Sequence, residues 1–184
     1  MLKRKIEQSL TDWKNTANHK PLIIKGCRQC GKTFSVLDFA KKNYKHVVYL
    51  NFFENPHYAS VFDGSLEIDN IVMMLSALLG SEAVFEAGET VLILDEIQDC
   101  PEARTALKFF RIDGRYDVIG TGSLQGVKGY GKEPKSIPVG SETVIDMYPL
   151  DFEELLWANR VGIPVIEMLK KNLEKETPVP EALN

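Results

Sequence analysis

The stretch from Gly26 to Thr33 constrains this chain more than any other, because it matches the phosphate-binding loop pattern G-x-x-x-x-G-K-[ST] in full. An apolar run from Pro21 to Ile24 precedes it, and a helix-like stretch with apolar Phe34, Leu37 and Phe39 follows it. A loop that leads from a strand into a helix N-terminus offers backbone N–H groups and the positive end of the helix dipole to an anion. The sequence therefore predicts a site for a nucleoside triphosphate.

Each residue type in this loop has a physical reason. Gly26 and Gly31 allow the backbone to approach phosphate where a side chain would collide. We expect Lys32 to reach the β- and γ-phosphates and the Thr33 hydroxyl to bind Mg²⁺. The residues predicted to bind the nucleotide are Gly26, Cys27, Arg28, Gln29, Cys30, Gly31, Lys32, Thr33 and Phe34.

Length and composition narrow the class of protein. With 184 residues, 44% apolar and 26% charged, the chain fits one globular domain. Its net charge of −4 gives no global electrostatic reason to expect nucleic acid as a partner. The longest apolar run, Ile71 to Leu79, is too short to span a bilayer, and the basic N-terminus lacks the apolar segment of a signal peptide. We therefore expect a cytoplasmic protein without a membrane partner.

Cys27 and Cys30 have the C-x-x-C spacing of redox and zinc sites, and Cys100 is the third cysteine. A zinc ion needs four ligands, and the sequence offers neither a second C-x-x-C nor a nearby histidine pair. A redox pair would compete with a nucleotide for the same loop. We interpret both cysteines as small loop residues, and the odd cysteine count argues against a disulfide framework.

Continuous apolar runs alternate with helix-like segments along the chain. Strands buried on both faces have such runs, and their alternation with helices is typical of an α/β fold with a mostly parallel sheet between helices. The five predicted strands are Leu22–Lys25, His46–Phe52, Thr90–Asp95, Tyr116–Thr121 and Thr143–Met147. The helices predicted between them are Phe34–Asn43, Ile68–Leu79 and Glu102–Phe110.

Helical periodicity also predicts a helix near each end of the chain. The first covers residues 3–17 and packs on the core through Ile6, Leu10 and Trp13. The second follows a stripe formed by Ile163, Ile166, Leu169 and Leu173.

Two stretches, residues 55–66 and 125–140, contain Gly and Pro and read as long loops. Asp151 with Glu154 three residues later comes close to a capping box, so a helix is expected to begin there.

A second segment that suggests chemistry is the buried strand Thr90–Asp95 with Glu96 directly after it. Ligands bind beyond the carboxyl ends of strands in open α/β sheets. Asp95 can orient the Mg²⁺ shell together with Thr33, and Glu96 can polarise an attacking water as general base. Beside a phosphate loop, this carboxylate pair favours catalysis over a plain polar loop.

The strand near Tyr116–Thr121 ends in hydroxyl groups. Ser123 is the first choice for a group that senses the γ-phosphate or holds the attacking water, and Thr121 is the second. A Gly-rich turn with solvated hydroxyls is the open alternative.

Several further side chains are weaker candidates. Phosphoryl transfer often uses an arginine, from this chain or from a neighbouring subunit. The arginines considered are Arg28, Arg104, Arg111 and Arg115. Gln98 could hydrogen-bond near the active water. The three histidines do not converge at metal spacing, and the absence of a guanine-reading N-K-x-D sequence favours adenine.

Together these residues resemble the AAA-type P-loop ATPases of bacteria and archaea whose full-length members carry a C-terminal domain of unknown function. The family's loop usually reads Gly-Ala-Arg-Gln-Val-Gly-Lys-Thr, so Cys27 and Cys30 stand where small or apolar residues are usual. The matching stretches are Trp13-Lys14, Lys20–Thr33, Leu94–Gln98, Thr121–Ser123 and Tyr148–Glu154.

The resemblance implies a P-loop NTPase fold of the additional-strand type, in which the strand of Ser123 lies between the phosphate-loop strand and the strand of Asp95. It implies ATP and Mg²⁺ as ligands, with Lys32, Glu96 and Ser123 as catalytic residues. The chain departs from the family where many members carry a Gly-Arg pair and it has Val139-Gly-Ser-Glu142. No residue matches that arginine.

The resemblance also suggests a domain division. Residues 1–160 form the ATPase domain, and residues 161–184 form a helix and tail leading to a missing C-terminal domain, through which self-association or a protein partner could act. We expect an ATPase, weak in isolation, that couples hydrolysis to conformational change. The open alternatives are a nucleotide-dependent interaction switch with negligible turnover and, less favoured, a small-molecule kinase.

Overall fold

The computed structural model describes residues 2–123 and 140–175. The strands are β1 (Leu22–Gly26), β2 (His46–Asn51), β3 (Thr90–Asp95), β4 (Asp117–Ser123) and β5 (Thr143–Met147). The α-helices are α1 (Ile6–Asn15), α2 (Lys32–Asn43), α3 (Ile68–Leu79), α4 (Pro101–Asp113), α5 (Phe152–Ala158) and α6 (Ile163–Glu174). Short 3₁₀ helices cover Pro56–Phe62, Gly80–Glu82 and Ile97–Asp99.

The strands form one sheet in the order β2-β3-β4-β1-β5, and every neighbouring pair is parallel. Strand β4 lies between β1 and β3, as the family resemblance implies. The α/β fold with a parallel sheet is thereby confirmed. Because the strands are parallel, their carboxyl ends meet at one edge of the sheet, which we call the carboxyl edge.

Helices cover both faces of the sheet, and each face has its own apolar core. On one face, α1 and α2 bury Leu10, Trp13 and Phe39. The other face is covered by α3, α4 and the Pro56–Phe62 helix, which contribute residues such as Phe62 and Phe110. The β3 strand is buried along its whole length, and its continuous apolar run reflects this contact with both layers.

Element boundaries differ from the predictions at polar residues. Helix α2 begins at Lys32, two residues before the predicted start, because Gly31 in the left-handed region (φ 92°) ends the loop there. Strand β4 continues through Ser123, which pairs with Gly26. The expected loop at residues 55–66 was wrong in part, since Pro56–Phe62 is helical and buries Phe62.

The C-terminal helices follow the local signals. Asp151 and Glu154 form the expected capping box at the start of α5. The stripe predicted in α6 buries Ile166, whereas Ile163 and Leu173 stay 65% and 82% exposed. Of the loop predicted at residues 125–140, only Gly140 lies among the described residues. No described helix is both long enough and apolar enough to cross a membrane.

Candidate functional site

The phosphate-binding sequence forms the connection between β1 and α2 at the carboxyl edge of the sheet. The Lys32 side chain is buried within this loop. Its ammonium donates to the carbonyl oxygens of Cys27 at 2.8 Å and Gly26 at 3.2 Å. The lysine charge therefore lies on the inner side of the loop, next to the first turn of α2, whose N–H groups lack intrahelical partners.

The two glycines of the motif serve different purposes. Gly31 has a φ of 92°, a backbone conformation that residues with a Cβ adopt at a cost. A Cβ on Gly26 would come within 2.2 Å of the Met147 carbonyl oxygen, because β1 and β5 pair there. A side chain at position 26 is therefore excluded by close packing against β5, in addition to the expected approach of phosphate.

Thr33 and Asp95 meet at the carboxyl edge. The Thr33 hydroxyl oxygen is 3.1 Å and 3.0 Å from the two carboxylate oxygens of Asp95. Helix α2 presents the threonine on its first turn, and β3 ends at the aspartate. The two residues predicted to hold Mg²⁺ are therefore in direct contact.

Asp95 is only 2% exposed and accepts three further hydrogen bonds. The Tyr49 hydroxyl donates at 2.8 Å and the Asn51 amide at 3.4 Å, both from β2. The Thr121 hydroxyl on β4 also donates to this carboxylate. Burial and the bond to Asp95 raise the pKa of Tyr49 far above its usual range, so the phenol stays a donor at neutral pH.

Glu96 follows directly and adopts left-handed backbone angles, with φ 53° and ψ 47°. Such a conformation in a non-glycine residue is strained, and it turns the chain sharply after β3. The Gln98 amide donates to the Glu96 carboxylate. The other amide atom, Gln98 Oε1, is buried and has no hydrogen-bond partner among the described residues.

The two hydroxyl candidates on β4 have different surroundings. Thr121 is fully buried, and its hydroxyl donates a hydrogen bond to the Asp95 carboxylate. Ser123 is the last residue of β4, is partly exposed, and lies beside Gly26 at the start of the loop. Thr121 is therefore level with Asp95, and Ser123 lies two residues further along β4, beside the loop.

Both loop cysteines pack against the apolar core on the α1 and α2 face of the sheet. Cys30 is 7% exposed, and its thiol donates to the Met147 carbonyl at 3.7 Å. Burial raises the pKa of the Cys30 thiol, which disfavours the reactive thiolate. Both loop cysteines are free thiols.

Three of the four candidate arginines are engaged away from the loop. Arg104 forms a buried ion pair with Glu142 at 2.6 Å. Arg111 donates to the Gly140 carbonyl at 2.6 Å, and Arg115 pairs with Asp69 and Asp113. Arg28 lies in the loop itself, and its positive charge opposes the rise in the pKa of Asp99 caused by burial and by Glu96.

A cleft of about 580 Å³ opens beside the loop. Loop residues from Cys27 to Gly31 line it, together with Phe34. Leu2, Pro149 and Leu150 also line the cleft. The site thus joins a polar cradle to an apolar cleft of a size that suits a small ligand.

Sequence reasoning missed several residues of this site. Tyr49 and Asn51 lie on β2, whose sequence is mostly apolar. Tyr49 is typical of a core residue there, and only Asn51, a polar residue close to the strand end, gave a signal. Arg4 donates to the Cys30 carbonyl at 2.9 Å and to Glu154 at 3.1 Å. No local pattern points to Arg4, because its partners are distant in sequence.

Residues 18–156 match the family model described as an AAA domain. No curated protein matches the sequence. Among solved structures, the ORC2 protein of Aeropyrum pernix in ADPNP-ADP complexes is similar, with a TM-score of 0.53 and 16% identity over 86% of this chain. The match covers 50% of the ORC2 chain, so this chain spans about half of its length.

Two further structures match less well. Unliganded Pif1 from Bacteroides sp. has a TM-score of 0.46 and 11% identity, covering 82% of this chain and 42% of Pif1. A protein described as an ATPase has a TM-score of 0.43 and 16% identity, and the match covers 74% of this chain and 68% of that protein.

Proposed function

The chain belongs to the AAA domain family of P-loop ATPases, and on that premise we propose that it binds ATP with Mg²⁺, hydrolyses it and couples the cycle to conformational change. One observation carries the proposal. The phosphate loop brings Lys32 and Thr33 to the carboxyl edge where Asp95 ends β3, and Glu96 follows at once.

Phosphate binding is assigned to the loop and the first turn of α2. The Lys32 ammonium is already surrounded by loop carbonyls, so it can exchange these for phosphate oxygens without leaving the loop. Charge-assisted hydrogen bonds of this kind are among the strongest available to a protein.

The residues at the carboxyl edge fit Mg²⁺. The ion prefers oxygen ligands and is usually held by one or two carboxylates together with substrate phosphates. Thr33 and Asp95 supply one hydroxyl and one carboxylate in contact. In the described residues, no group of three or more His, Cys, Asp or Glu side chains is arranged to hold a metal without a nucleotide. When bound, Mg²⁺ would neutralise charge on the phosphate oxygens.

The apolar cleft supports an adenine nucleotide. Phe34, Leu2, Pro149 and Leu150 offer the apolar surface that a base needs next to the loop. The similar ORC2 structure is of ADPNP-ADP complexes, which agrees with this ligand class.

Glu96 is assigned the role of general base. Its carboxylate accepts a hydrogen bond from Gln98, which limits its orientation. Ser123, at the end of the neighbouring strand, is assigned to hold the attacking water or the γ-phosphate. A positioned base contributes about 10²–10⁴-fold to the rate of such reactions.

Two variants test the proposal. Lys32→Ala should weaken ATP binding by about tenfold or more, because a charge-assisted contact is lost. Glu96→Gln should keep binding and lower hydrolysis by about a hundredfold or more. Binding is measured with a fluorescent ATP analogue and hydrolysis by phosphate release.

Lys25→Ala serves as the matched control, because this β1 lysine pairs with Asp146 at 3.3 Å rather than with the loop. It should change neither quantity. Undiminished hydrolysis in Glu96→Gln would remove Glu96 from its role, and unchanged binding in Lys32→Ala would remove the loop from the site.

A nucleotide-dependent interaction switch with negligible turnover is the second candidate. It is favoured by the positions of Arg104, Arg111 and Arg115, whose described partners lie away from the loop. Single-turnover hydrolysis by the purified chain separates the two functions. A cytoplasmic location and partners acting through a further C-terminal domain stay predictions.

A further inference from the structure

Arg4 joins three segments that are far apart in the sequence. One guanidinium nitrogen donates to the Cys30 carbonyl in the phosphate loop at 2.9 Å. A second donates to the Tyr148 carbonyl after β5 at 2.8 Å, and Nε donates to Glu154 in α5 at 3.1 Å. The guanidinium therefore uses its fixed fork of donors on three acceptors at once.

The Glu154 carboxylate accepts the hydrogen bond from Arg4 Nε. Besides Arg4, it accepts the backbone N–H groups of Lys5 at 2.7 Å and Asp151 at 3.1 Å. The side chains of Arg4 and Glu154 are only 11% and 6% exposed, so water does not compete strongly for them. Such a buried pair is costly to break on one side only.

The contact to the Cys30 carbonyl bears on the loop directly. Because a peptide unit is planar and trans, its C=O and the next N–H point in opposite directions. Arg4 holds the Cys30 oxygen, so the Gly31 N–H points away from Arg4. The carbonyls of Gly26 and Cys27 face Lys32 instead. Arg4 thus sets the orientation of one specific peptide in the loop.

We propose that Arg4 is a positioning residue of the nucleotide site, which fixes the Cys30–Gly31 peptide and, through Glu154, couples the phosphate loop to the start of helix α5. The coupling to nucleotide rests on the proposed function, whereas the positioning of the loop does not. By linkage, a nucleotide that orders the loop also stabilises α5, and loss of the Arg4 contact weakens both.

The first test compares nucleotide affinities in Arg4→Gln and in Lys5→Gln. Arg4→Gln should weaken binding of a fluorescent ATP analogue with Mg²⁺ by about tenfold, a usual size for coupling between sites. Lys5→Gln is the matched control, because the neighbouring lysine forms exposed ion pairs with Asp151 and Glu153 and does not contact the loop. It should stay within about twofold of the unchanged chain. Equal affinity in Arg4→Gln and the unchanged chain overturns the coupling.

The second test measures amide hydrogen exchange without nucleotide. Arg4→Gln should speed exchange in residues 27–31 and in α5, and Glu154→Gln should do the same although Glu154 does not contact the loop. A merely local role of Glu154 would leave the loop unchanged, and unchanged loop exchange in both variants overturns the proposal. In the unchanged chain, nucleotide should slow exchange in α5, and Arg4→Gln should remove this effect.

Nucleotide affinity and amide hydrogen exchange together distinguish failure of the positioning role of Arg4 from failure of the proposed ATPase function. If the unchanged chain binds no nucleotide, the proposed function fails, and faster loop exchange in Arg4→Gln still supports the positioning role. If circular dichroism shows that Arg4→Gln does not fold, Arg4→Lys replaces it, since lysine keeps the charge but offers one nitrogen for three acceptors. Loop exchange in Arg4→Lys equal to that of the unchanged chain overturns the proposal.

Discussion

The carboxylate of Asp95 is held by side chains from three elements. Thr33 comes from α2, Tyr49 and Asn51 from β2, and Thr121 from β4. A buried carboxylate with several donors has one preferred orientation, and partners of this kind tune the affinity of a metal site. Of the two donors from β2, Tyr49 is the closer, because its hydroxyl lies 2.8 Å from Oδ2, while the Asn51 amide lies at 3.4 Å.

We expect Tyr49→Phe to raise the Mg²⁺ concentration needed for tight ATP binding by about tenfold. The phenylalanine keeps the ring but removes the donor that orients Asp95. The measurement is a Mg²⁺ titration with a fluorescent ATP analogue.

Tyr44→Phe is the control, because that hydroxyl donates to Asp117 at 2.6 Å, at the opposite end of the sheet. It should lower stability without changing the Mg²⁺ requirement. An unchanged requirement in Tyr49→Phe would show that Asp95 is oriented without it.

The contact between Thr33 and Asp95 could be predicted from sequence, because the loop and β3 both end at the carboxyl edge of a parallel sheet. The roles of Tyr49 and Arg4 could not. A tyrosine within a strand reads as an ordinary core residue, and Arg4 lies 150 positions from Glu154. Contacts that depend on strand order or join distant segments produce no periodic pattern in the local sequence, so they could not be predicted from it.

At the scale of elements, α4 fixes the chain as it enters β5. Arg104 in this helix pairs with Glu142 at 2.6 Å, and the two side chains are 13% and 7% exposed. Arg111, two turns further along, donates to the Gly140 carbonyl. These arginines were candidates for charge stabilisation, but the structure engages them in anchoring the segment that leads into the edge strand.

Arg104→Leu should therefore destabilise the fold by about 3 kcal/mol, because Glu142 would keep a buried charge without its partner. Urea unfolding measures the loss. Adding Glu142→Leu should recover much of it, since neither charge then remains.

Arg115→Gln is the comparison, because the Arg115 side chain, which pairs with Asp69 and Asp113, is 40% exposed and its ion pairs are screened by water. This variant should stay within about 0.5 kcal/mol of the unchanged chain. Full stability of Arg104→Leu combined with lost hydrolysis would return Arg104 to the catalytic candidates.

The elements themselves were largely predictable. The strands β3 and β5 have their predicted bounds. For β3 the reason is its continuous apolar run, which is buried between layers on both faces of the sheet. Helix α2 was placed two residues late because Lys32 and Thr33 are polar and give no apolar signal. The Pro56–Phe62 helix was missed because a 3₁₀ turn lacks the period of an α-helix.

For the whole molecule, the carboxylates tie stability to pH. Glu154 is the most buried of those with a shifted pKa. Burial alone would raise the pKa of Glu154, but the N–H groups of Lys5 and Asp151 and the Arg4 guanidinium lower it below its ordinary value of 4.5. Surface partners also lower the pKa of Asp151, Glu153, Asp113 and Glu86.

A pKa that is lower in the folded state adds stability above the unfolded value, and this stability is lost as the pH falls through the folded value. Unfolding free energy should therefore decrease below about pH 4.5. Glu154→Gln should be less stable at neutral pH and show a shallower decrease below pH 4.5, as followed by urea unfolding at several pH values.

Glu153→Gln should change the decrease in unfolding free energy below pH 4.5 less than Glu154→Gln does. Its partners Lys5 and Lys170 are about half exposed, so water screens these ion pairs. If unfolding free energy decreases equally steeply below pH 4.5 in Glu154→Gln and in the unchanged chain, Glu154 is not a source of the pH dependence.

The strand order has a consequence for how the chain is made. β1 is the first strand of the described chain, yet both of its neighbours, β4 and β5, are the last two. During synthesis the phosphate loop therefore emerges early but cannot acquire the supports of Gly26 until Ser123 and Met147 have been added. Contacts so distant in sequence form slowly, since a long stretch of chain must close first. A nascent chain would gain its nucleotide site only after β4 and β5 have been synthesised.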